Sequence, residues 1–95
     1  MRESALERYL ITSLQKVGVS TRKVKWVGRD GAPDRLILAN GGIWVELKAP
    51  GEKPRANQKL ELEALAKAGM TAYCIDSIQQ IDELIGEIRG NTSGV

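Results

Sequence analysis

The chain has 95 residues, of which 42% are hydrophobic and 27% are charged, and this predicts one globular domain spanning residues 1–95. Its single cysteine, Cys74, and its lack of histidine exclude an intrachain disulfide, the usual four-ligand zinc site and any catalysis that needs an imidazole. No apolar run is long enough to span a membrane and the start of the chain does not resemble an export signal, so we expect a soluble cytoplasmic protein.

The charges are unevenly distributed, although the formal net charge is only +2. Residues 1–35 carry eight Lys or Arg against four Asp or Glu, residues 36–60 carry four against two, and residues 61–95 carry two against six. A basic leading part is typical of proteins that bind an anionic partner such as nucleic acid. The acidic trailing part is equally compatible with a solvated helix face.

An amphipathic helix and three short strands are predicted in the first half of the chain. Leucine and valine recur at steps of four, four and three over residues 3–17, which indicates a helix that Gly18 can end in the left-handed conformation. Turn sequences separate the next three apolar or β-branched runs. These runs predict an antiparallel meander of strands at residues 21–27, 34–39 and 43–48.

The second half of the chain alternates helix and strand. After a loop with two prolines, the pattern predicts a helix over about residues 55–68, a strand over 70–76 and a helix over 77–89. The intervening helix implies that the fourth strand is parallel to its neighbour, so we expect an α/β fold with a mixed sheet between helical layers. Residues 90–95 are expected to form a flexible tail.

Asp34 and Glu46 are predicted to converge at one edge of this sheet. Alternation along the third strand places Trp44, Glu46 and Lys48 on one face. Asp34 begins the preceding antiparallel strand, and that beginning lies beside the end of the third strand. Two carboxylates with a nearby main-chain carbonyl suit Mg²⁺ or Mn²⁺, which also bind phosphate oxygens. Alternatively, Glu46 and Lys48 form only a salt bridge where the strand reaches solvent.

Polar residues on two helices could complete the site. At about 100° per residue, Glu3 lies roughly 25° from the centre of the apolar stripe and Glu7 roughly 65°, which favours Glu3. An acid at this position is also explained by the helix dipole alone. On the second helix, Gln58 shares a face with two leucines, where it could bind water or phosphate or satisfy a strand-end carbonyl.

These residues, taken in order, resemble a known family. Gly31-Ala32-Pro33-Asp34, then Glu46-Leu47-Lys48, then Gln58, all after an acidic first helix, resemble the PD-(D/E)XK nuclease superfamily and within it the VRR-NUC domains. The resemblance covers roughly Glu3 to Asp76 and implies a restriction-endonuclease-like core. It implies metal ligation by Asp34, Glu46 and the carbonyl of Leu47, a catalytic Lys48, and a site completed by Glu3 and Gln58.

The resemblance also implies an activity and partners. Stand-alone members, mostly from phages, are similar to Holliday junction resolvases and act as homodimers. We therefore expect an endodeoxyribonuclease that needs Mg²⁺ or Mn²⁺, cuts branched or four-way junction DNA, and works in the cytoplasm of a bacterial host. Carboxylates beside Lys48 favour its charged form, so we expect it to orient the nucleophile and stabilise charge on the phosphate rather than act as a base.

Basic residues of the leading part are candidates for contacts with the DNA backbone. The candidates are Arg2, Lys23, Lys25, Arg29, Lys53 and Arg55. Each is also explained as a solubilising surface charge. The loop at residues 28–32 could enter a groove or branch point, whereas Trp26 is expected to pack in the core rather than stack on bases.

Two other classes of function remain open at this stage. In the first, the acids and Lys48 form a structural ion-pair network in a non-catalytic nucleic-acid-binding module. In the second, the exposed Leu60 and the acidic last helix form a protein-interaction surface, which predicts no salt-dependent DNA binding.

Overall fold

The computed structural model describes residues 1–93 of the protein as a four-stranded sheet with three helices. In chain order the elements are α1 (Glu3–Lys16), β1 (Thr21–Lys23), β2 (Arg35–Ile37), β3 (Ile43–Leu47), α2 (Ala56–Lys67), β4 (Thr71–Ile75) and α3 (Ile78–Ser93). The strand order is β1-β2-β3-β4, antiparallel among the first three strands and parallel between β3 and β4. The predicted α/β fold with a mixed sheet is therefore confirmed, and β3 is a central strand.

Helix ends lie where local sequence signals predict them. Gly18 and Gly69 follow α1 and α2 with φ angles of +74° and +89°, the left-handed conformation in which glycine ends a helix without strain. At the start of α3, the main-chain N–H of Gln80 donates to the Ser77 hydroxyl at 3.2 Å. The main-chain N–H of Ser77 in turn donates to the side-chain oxygen of Gln80 at 3.1 Å. This is the predicted capping box.

One face of the sheet forms the hydrophobic core with α1 and α3. Ile43, Val45 and Leu47 of β3 are at most 2% exposed and pack in one cluster with apolar side chains of the two helices. The helical members of this cluster are Leu6, Leu10, Leu14, Ile81, Leu84 and Ile88. Burial of this apolar surface is the main source of stability of the fold.

The opposite face of the sheet is covered by α2 and by Trp26 of the β1–β2 connection, and less completely. Trp44 and Glu46 of β3 lie on this face by strand alternation. Gln58 is the buried residue of α2, whereas Leu62 and Leu65, the two leucines that share its face, are only half-buried. Leu60 is 64% exposed. Parts of α2 are therefore exposed, although Glu46 and Gln58 themselves are buried.

Most element boundaries agree with the sequence-based expectation to within one or two residues, β2 for example ending at Ile37 rather than residue 39, but two differ by more. The first strand ends at Lys23 rather than Val27, because the chain leaves the sheet and Trp26 packs against Trp44 instead of pairing with β2. The last helix continues to Ser93 rather than ending near residue 89, because Gly90 lacks the left-handed conformation that ends a helix. The rest of the expected tail, residues 94–95, lies outside the described residues. Within the described chain no helix is long and apolar enough to cross a membrane.

Candidate active site

Asp34 lies beside Glu46 because of the strand register. Arg35 pairs with Val45, so Asp34, one residue earlier, comes opposite Glu46 at the end of the β2–β3 pairing. Opposite residues of antiparallel strands project from the same face. The Asp34 carboxylate also accepts a hydrogen bond from the Leu47 amide at 2.8 Å, which ties it to the end of β3.

Glu46 is an almost completely buried acid with an unsatisfied oxygen. Its side chain is 2% exposed, and its Oε1 is the buried side-chain atom without a hydrogen-bond partner among the described residues. The Lys48 ammonium lies 3.4 Å from the other oxygen, Oε2. Burial first, and the charges of Asp34 and Glu3 next, raise the pKa of Glu46 to about 7 despite the opposing effect of Lys48. Glu46 is therefore an acid whose negative charge lacks a full set of partners.

The two acids of α1 have different surroundings. Glu7 accepts hydrogen bonds from Arg35 at 2.8 Å and Lys23 at 2.9 Å. Burial acts to raise the pKa of Glu7, but these two cations outweigh it and hold the pKa below its usual value. Glu3 is exposed at the start of α1, and its charge acts on Glu46. Glu7 is thus engaged in ion pairs, and Glu3 is the acid of α1 whose charge acts on Glu46.

Gln58 links the start of α2 to the same region. Its Oε1 accepts a hydrogen bond from the main-chain N–H of Arg55 at 2.8 Å, so the carbonyl half of the amide satisfies a free donor at the helix start. The NH₂ half remains as a donor. From the sequence, Gln58 was expected either to bind water or phosphate or to satisfy a strand-end carbonyl. The observed hydrogen bond does neither, and instead stabilises the start of α2.

The basic candidates fall into two groups. Lys23 and Arg29 are ion-paired, with Glu7 at 2.9 Å and Glu61 at 3.0 Å respectively. Within the described residues no ion pair engages the other four, which are Arg2, Lys25, Lys53 and Arg55.

Arginine occupies the N-cap position of both α1 and α2. The residues are Arg2 and Arg55, and neither side chain makes a capping hydrogen bond. N-caps are normally Ser, Thr, Asp or Asn, and a cation at this end of a helix opposes the helix dipole. The two arginines therefore add positive charge at the two helix starts instead of capping them.

The loop that precedes Asp34 is held on α2 by Glu61, a contact that the sequence did not predict. One oxygen of Glu61 accepts from the Trp26 indole N–H at 2.7 Å and the other from Arg29 at 3.0 Å. The Trp26 ring also contacts Trp44, with 5.5 Å between ring centroids, but it is half-buried and outside the core cluster, so the expectation that Trp26 packs in the core is wrong. Glu61 lies three residues after Gln58, which is the one sequence signal for a shared helix face.

Cys74 is a further neighbour that only the parallel pairing reveals. It stands opposite Glu46 in the β3–β4 register, and its side chain is half-buried. Burial first, and the charge of Glu46 second, raise the pKa of the Cys74 thiol.

The donor set fits a hard divalent cation with a partly hydrated shell. Among the described residues the buried Oε1 of Glu46 has no partner and lies near a second carboxylate, so a bound cation would stabilise it. Carboxylate and carbonyl oxygens are the ligands that Mg²⁺ and Mn²⁺ prefer. Among the described residues, no three Asp, Glu, Cys or His side chains form a metal-binding group. An ion at Asp34 and Glu46 would therefore also need a main-chain carbonyl, waters or substrate phosphate as ligands.

These features define an α/β domain with a mixed sheet that carries a cluster of two acids and a lysine at the end of its central strand. No family model matches the sequence. A curated relative, "Putative nuclease p44" of Acyrthosiphon pisum secondary endosymbiont phage 1, is 42% identical over 79 residues, covering 81% of this chain and 85% of the relative. A solved structure titled "VRR_NUC domain" is 32% identical with a TM-score of 0.79, covering 88% of this chain and 94% of the other.

This chain belongs to the VRR-NUC family. The resemblance first noted in the motif residues is thereby confirmed over most of the chain and at the level of the fold.

Proposed function

We propose that this nuclease is a metal-dependent endonuclease that hydrolyses phosphodiester bonds of DNA at the Asp34–Glu46–Lys48 site. The observation that carries the proposal is the unpartnered, buried Oε1 of Glu46 between a second carboxylate and an ammonium. A buried ionised oxygen without a partner is costly in a purely structural network, whereas it is expected where a cation binds.

Asp34, Glu46 and the main-chain carbonyl of Leu47 would hold Mg²⁺ or Mn²⁺. When bound, such an ion supplies an activated water and positive charge that stabilises the phosphate oxygens. Asp34 is already oriented by the Leu47 amide, and Glu46 by Lys48, so both carboxylates are positioned before the ion arrives.

Lys48 would stabilise the reacting phosphate and orient the nucleophile. Its ammonium lies 3.4 Å from Glu46 Oε2 and its side chain is only 11% exposed, so its charge acts with little screening by solvent. Gln58 would add the NH₂ donor of its amide, and Glu3 a third carboxylate at the rim. Arg2 and Arg55 would bind DNA phosphates at the two helix starts, with Lys25 and Lys53 extending the contact.

The preferred substrate in this proposal is branched DNA, including the four-way junction, cut by a homodimer in the cytoplasm of a bacterial host. A four-way junction can have two-fold symmetry, and two symmetric cuts need two active sites related in the same way. The resemblance to stand-alone VRR-NUC domains motivates this choice, and the phage relative supports the nuclease activity that it requires. Sedimentation of the purified chain and of its complex with a four-way junction would measure the stoichiometry.

A cleavage panel tests the enzymatic part. Linear duplex, flap and four-way DNA are incubated with Mg²⁺, Mn²⁺ or EDTA, and Glu46→Gln is compared with Glu63→Gln, an exposed acid of α2. We expect metal-dependent cleavage that falls by about 100-fold or more in Glu46→Gln and is unchanged in Glu63→Gln. Binding without cleavage by the native chain would instead identify a non-catalytic DNA-binding module.

A second comparison tests the roles of the arginines. Arg55→Ala is compared with Lys67→Ala, which removes the same charge from the opposite end of α2. We expect weaker DNA binding and a shallower salt dependence for Arg55→Ala only, because a phosphate contact releases counterions. Equal effects of both substitutions would contradict a specific contact at the helix start.

A further inference from the structure

The connection between β1 and β2, residues 25–33, forms a loop with a closed base. The Val24 amide donates to the Asp34 carbonyl at 2.9 Å, so the two ends of this β1–β2 loop are joined next to the proposed site. The loop therefore projects from the position where Asp34 is presented.

The β1–β2 loop is rigidly attached to α2 at two places. Glu61 holds Trp26 and Arg29 through its two oxygens. Gly31 adopts a φ of +95°, and a Cβ there would come within 2.6 Å of the Asn57 main-chain oxygen, so only glycine permits this approach. A segment held in this way can act as a fixed structural element.

Val27 is the exposed apolar residue of this fixed loop. Its side chain is 98% exposed, the highest value among the large hydrophobic residues of the described chain. Its neighbour Trp26 turns inward to Trp44 and Glu61, and Gly28 follows with a φ of +85°. The exposed cations Lys25 and Arg29 lie on either side in sequence. The loop thus presents one apolar side chain with Lys25, a cation without an ion pair among the described residues, two residues before it and Arg29, a cation already paired with Glu61, two residues after it.

We propose that Val27 packs against the face of a base pair at a DNA branch point while Lys25 contacts the backbone. This inference rests on the proposed nuclease function and names the DNA feature that its substrate must have. In continuous duplex, base pairs are stacked, and opening a step for an apolar side chain is costly. Burying one valine side chain stabilises the complex by less than unstacking a base step costs. Val27 therefore favours DNA in which stacking is already interrupted.

Fluorescence of 2-aminopurine tests this contact without requiring cleavage. The base is placed at the branch point of a four-way junction and at the same sequence position in a linear duplex. Both probes are titrated with Glu46→Gln and with the double substitution Glu46→Gln, Val27→Ser. Leu60→Ser in the same background is the matched control, since Leu60 is an exposed apolar residue of α2 outside the loop.

We expect Val27→Ser to abolish the fluorescence change at the branch point and to weaken junction binding about tenfold. Linear-duplex affinity and the thermal unfolding midpoint should be unchanged, because Val27 makes little contact within the protein. The Leu60→Ser protein should behave as the parent does on both probes.

Three results would overturn the inference. One is a junction affinity and fluorescence response of Val27→Ser equal to those of the parent, and another is an equal loss in Leu60→Ser. Neither result affects the cleavage panel, whose failure would contradict the nuclease mechanism separately. The third is absence of DNA binding by every variant and by the native chain, which would contradict both proposals.

Discussion

The two faces of the sheet differ in the polarity of their side chains and in the helices that cover them. The face toward α1 and α3 is continuously apolar, with Val45 and Leu47 fully buried among leucines and isoleucines. The face toward α2 carries Glu46 of β3, with Lys48 just after the end of the strand, and α2 contributes Gln58 as its buried residue. Successive residues of β3 therefore alternate between the hydrophobic core and the face that carries the candidate site.

This contrast indicates that stability and chemistry are separated by strand alternation rather than by domain or distance. Core positions gain stability by excluding water. Glu46, on the other face, retains an unsatisfied oxygen and a raised pKa of about 7, which costs stability and is useful only if a ligand binds. Substitutions on the two faces should therefore have opposite effects on the free energy of unfolding.

The largest effect is expected from a deletion in the core. Leu10→Ala removes a side chain that is fully buried in α1, and we expect a loss of about 2 to 5 kcal/mol in the free energy of unfolding. Leu60→Ala should cost much less, because that leucine is 64% exposed. Urea denaturation measures both, and comparable losses would show that α2 contributes to a second core.

In contrast to Leu10→Ala, Glu46→Gln should increase the free energy of unfolding of the metal-free protein. The folded protein favours protonated Glu46, whereas the unfolded chain ionises it near pH 4.5, so native stability falls as pH rises from about 4.5 to about 7. We expect Glu46→Gln to gain about 2 to 3 kcal/mol at pH 8 and almost nothing at pH 4.

Thermal unfolding across this pH range, with and without Mg²⁺ or Mn²⁺, measures the effect of Glu46→Gln. The metal ions should raise the midpoint of the native chain only, because binding to the folded state stabilises it. A metal-dependent rise of the same size in Glu46→Gln would contradict ligation by this carboxylate.

Gly31→Ala tests whether attachment of the β1–β2 loop to α2 positions Asp34. A methyl group would collide with the Asn57 main-chain oxygen, and alanine is strained at a φ of +95°. We expect a loss of about 1 to 3 kcal/mol in stability and a fall in metal-dependent cleavage. Gly41→Ala is the control, since its φ is +82° but its Cβ would meet no atom within 4 Å. Cleavage that falls equally in both would contradict a positioning role.

The smallest effect is expected at Glu7, with the opposite pH dependence to Glu46. Its pKa is held below the usual value because Lys23 and Arg35 outweigh the effect of burial, so its contribution is present above about pH 4.5 and is lost as pH falls. We expect Glu7→Gln to cost about 1 kcal/mol at pH 7 and little in strong acid. Chemical denaturation at both pH values checks this, and a cost that persists in acid would point to packing rather than charge.

The sequence predicted those features that depend on near neighbours along the chain. Gly18 and Gly69 end helices, and Ser77 with Gln80 starts one, because these residues act within one helical turn. The approach of Asp34 to Glu46 was also predictable, since a short hairpin brings the start of one strand to the end of the next.

Other features required the tertiary structure because they join residues far apart in the chain. The partners of Glu7, the contact of Glu61 with Trp26 and Arg29, and the position of Cys74 beside Glu46 all depend on how helices and strands pack. Periodicity reports which residues share a face, but the element that covers that face is chosen by the packing of the whole chain.

By itself the sequence determined the order of elements, the apolar face of the sheet and the identity of the acids and lysine that share its other face. The tertiary structure decided which charges are neutralised, which oxygen lacks a partner and how the β1–β2 loop is fixed. Backbone patterns follow from local sterics and alternation, whereas burial and electrostatic pairing arise only when distant segments pack together and exclude water.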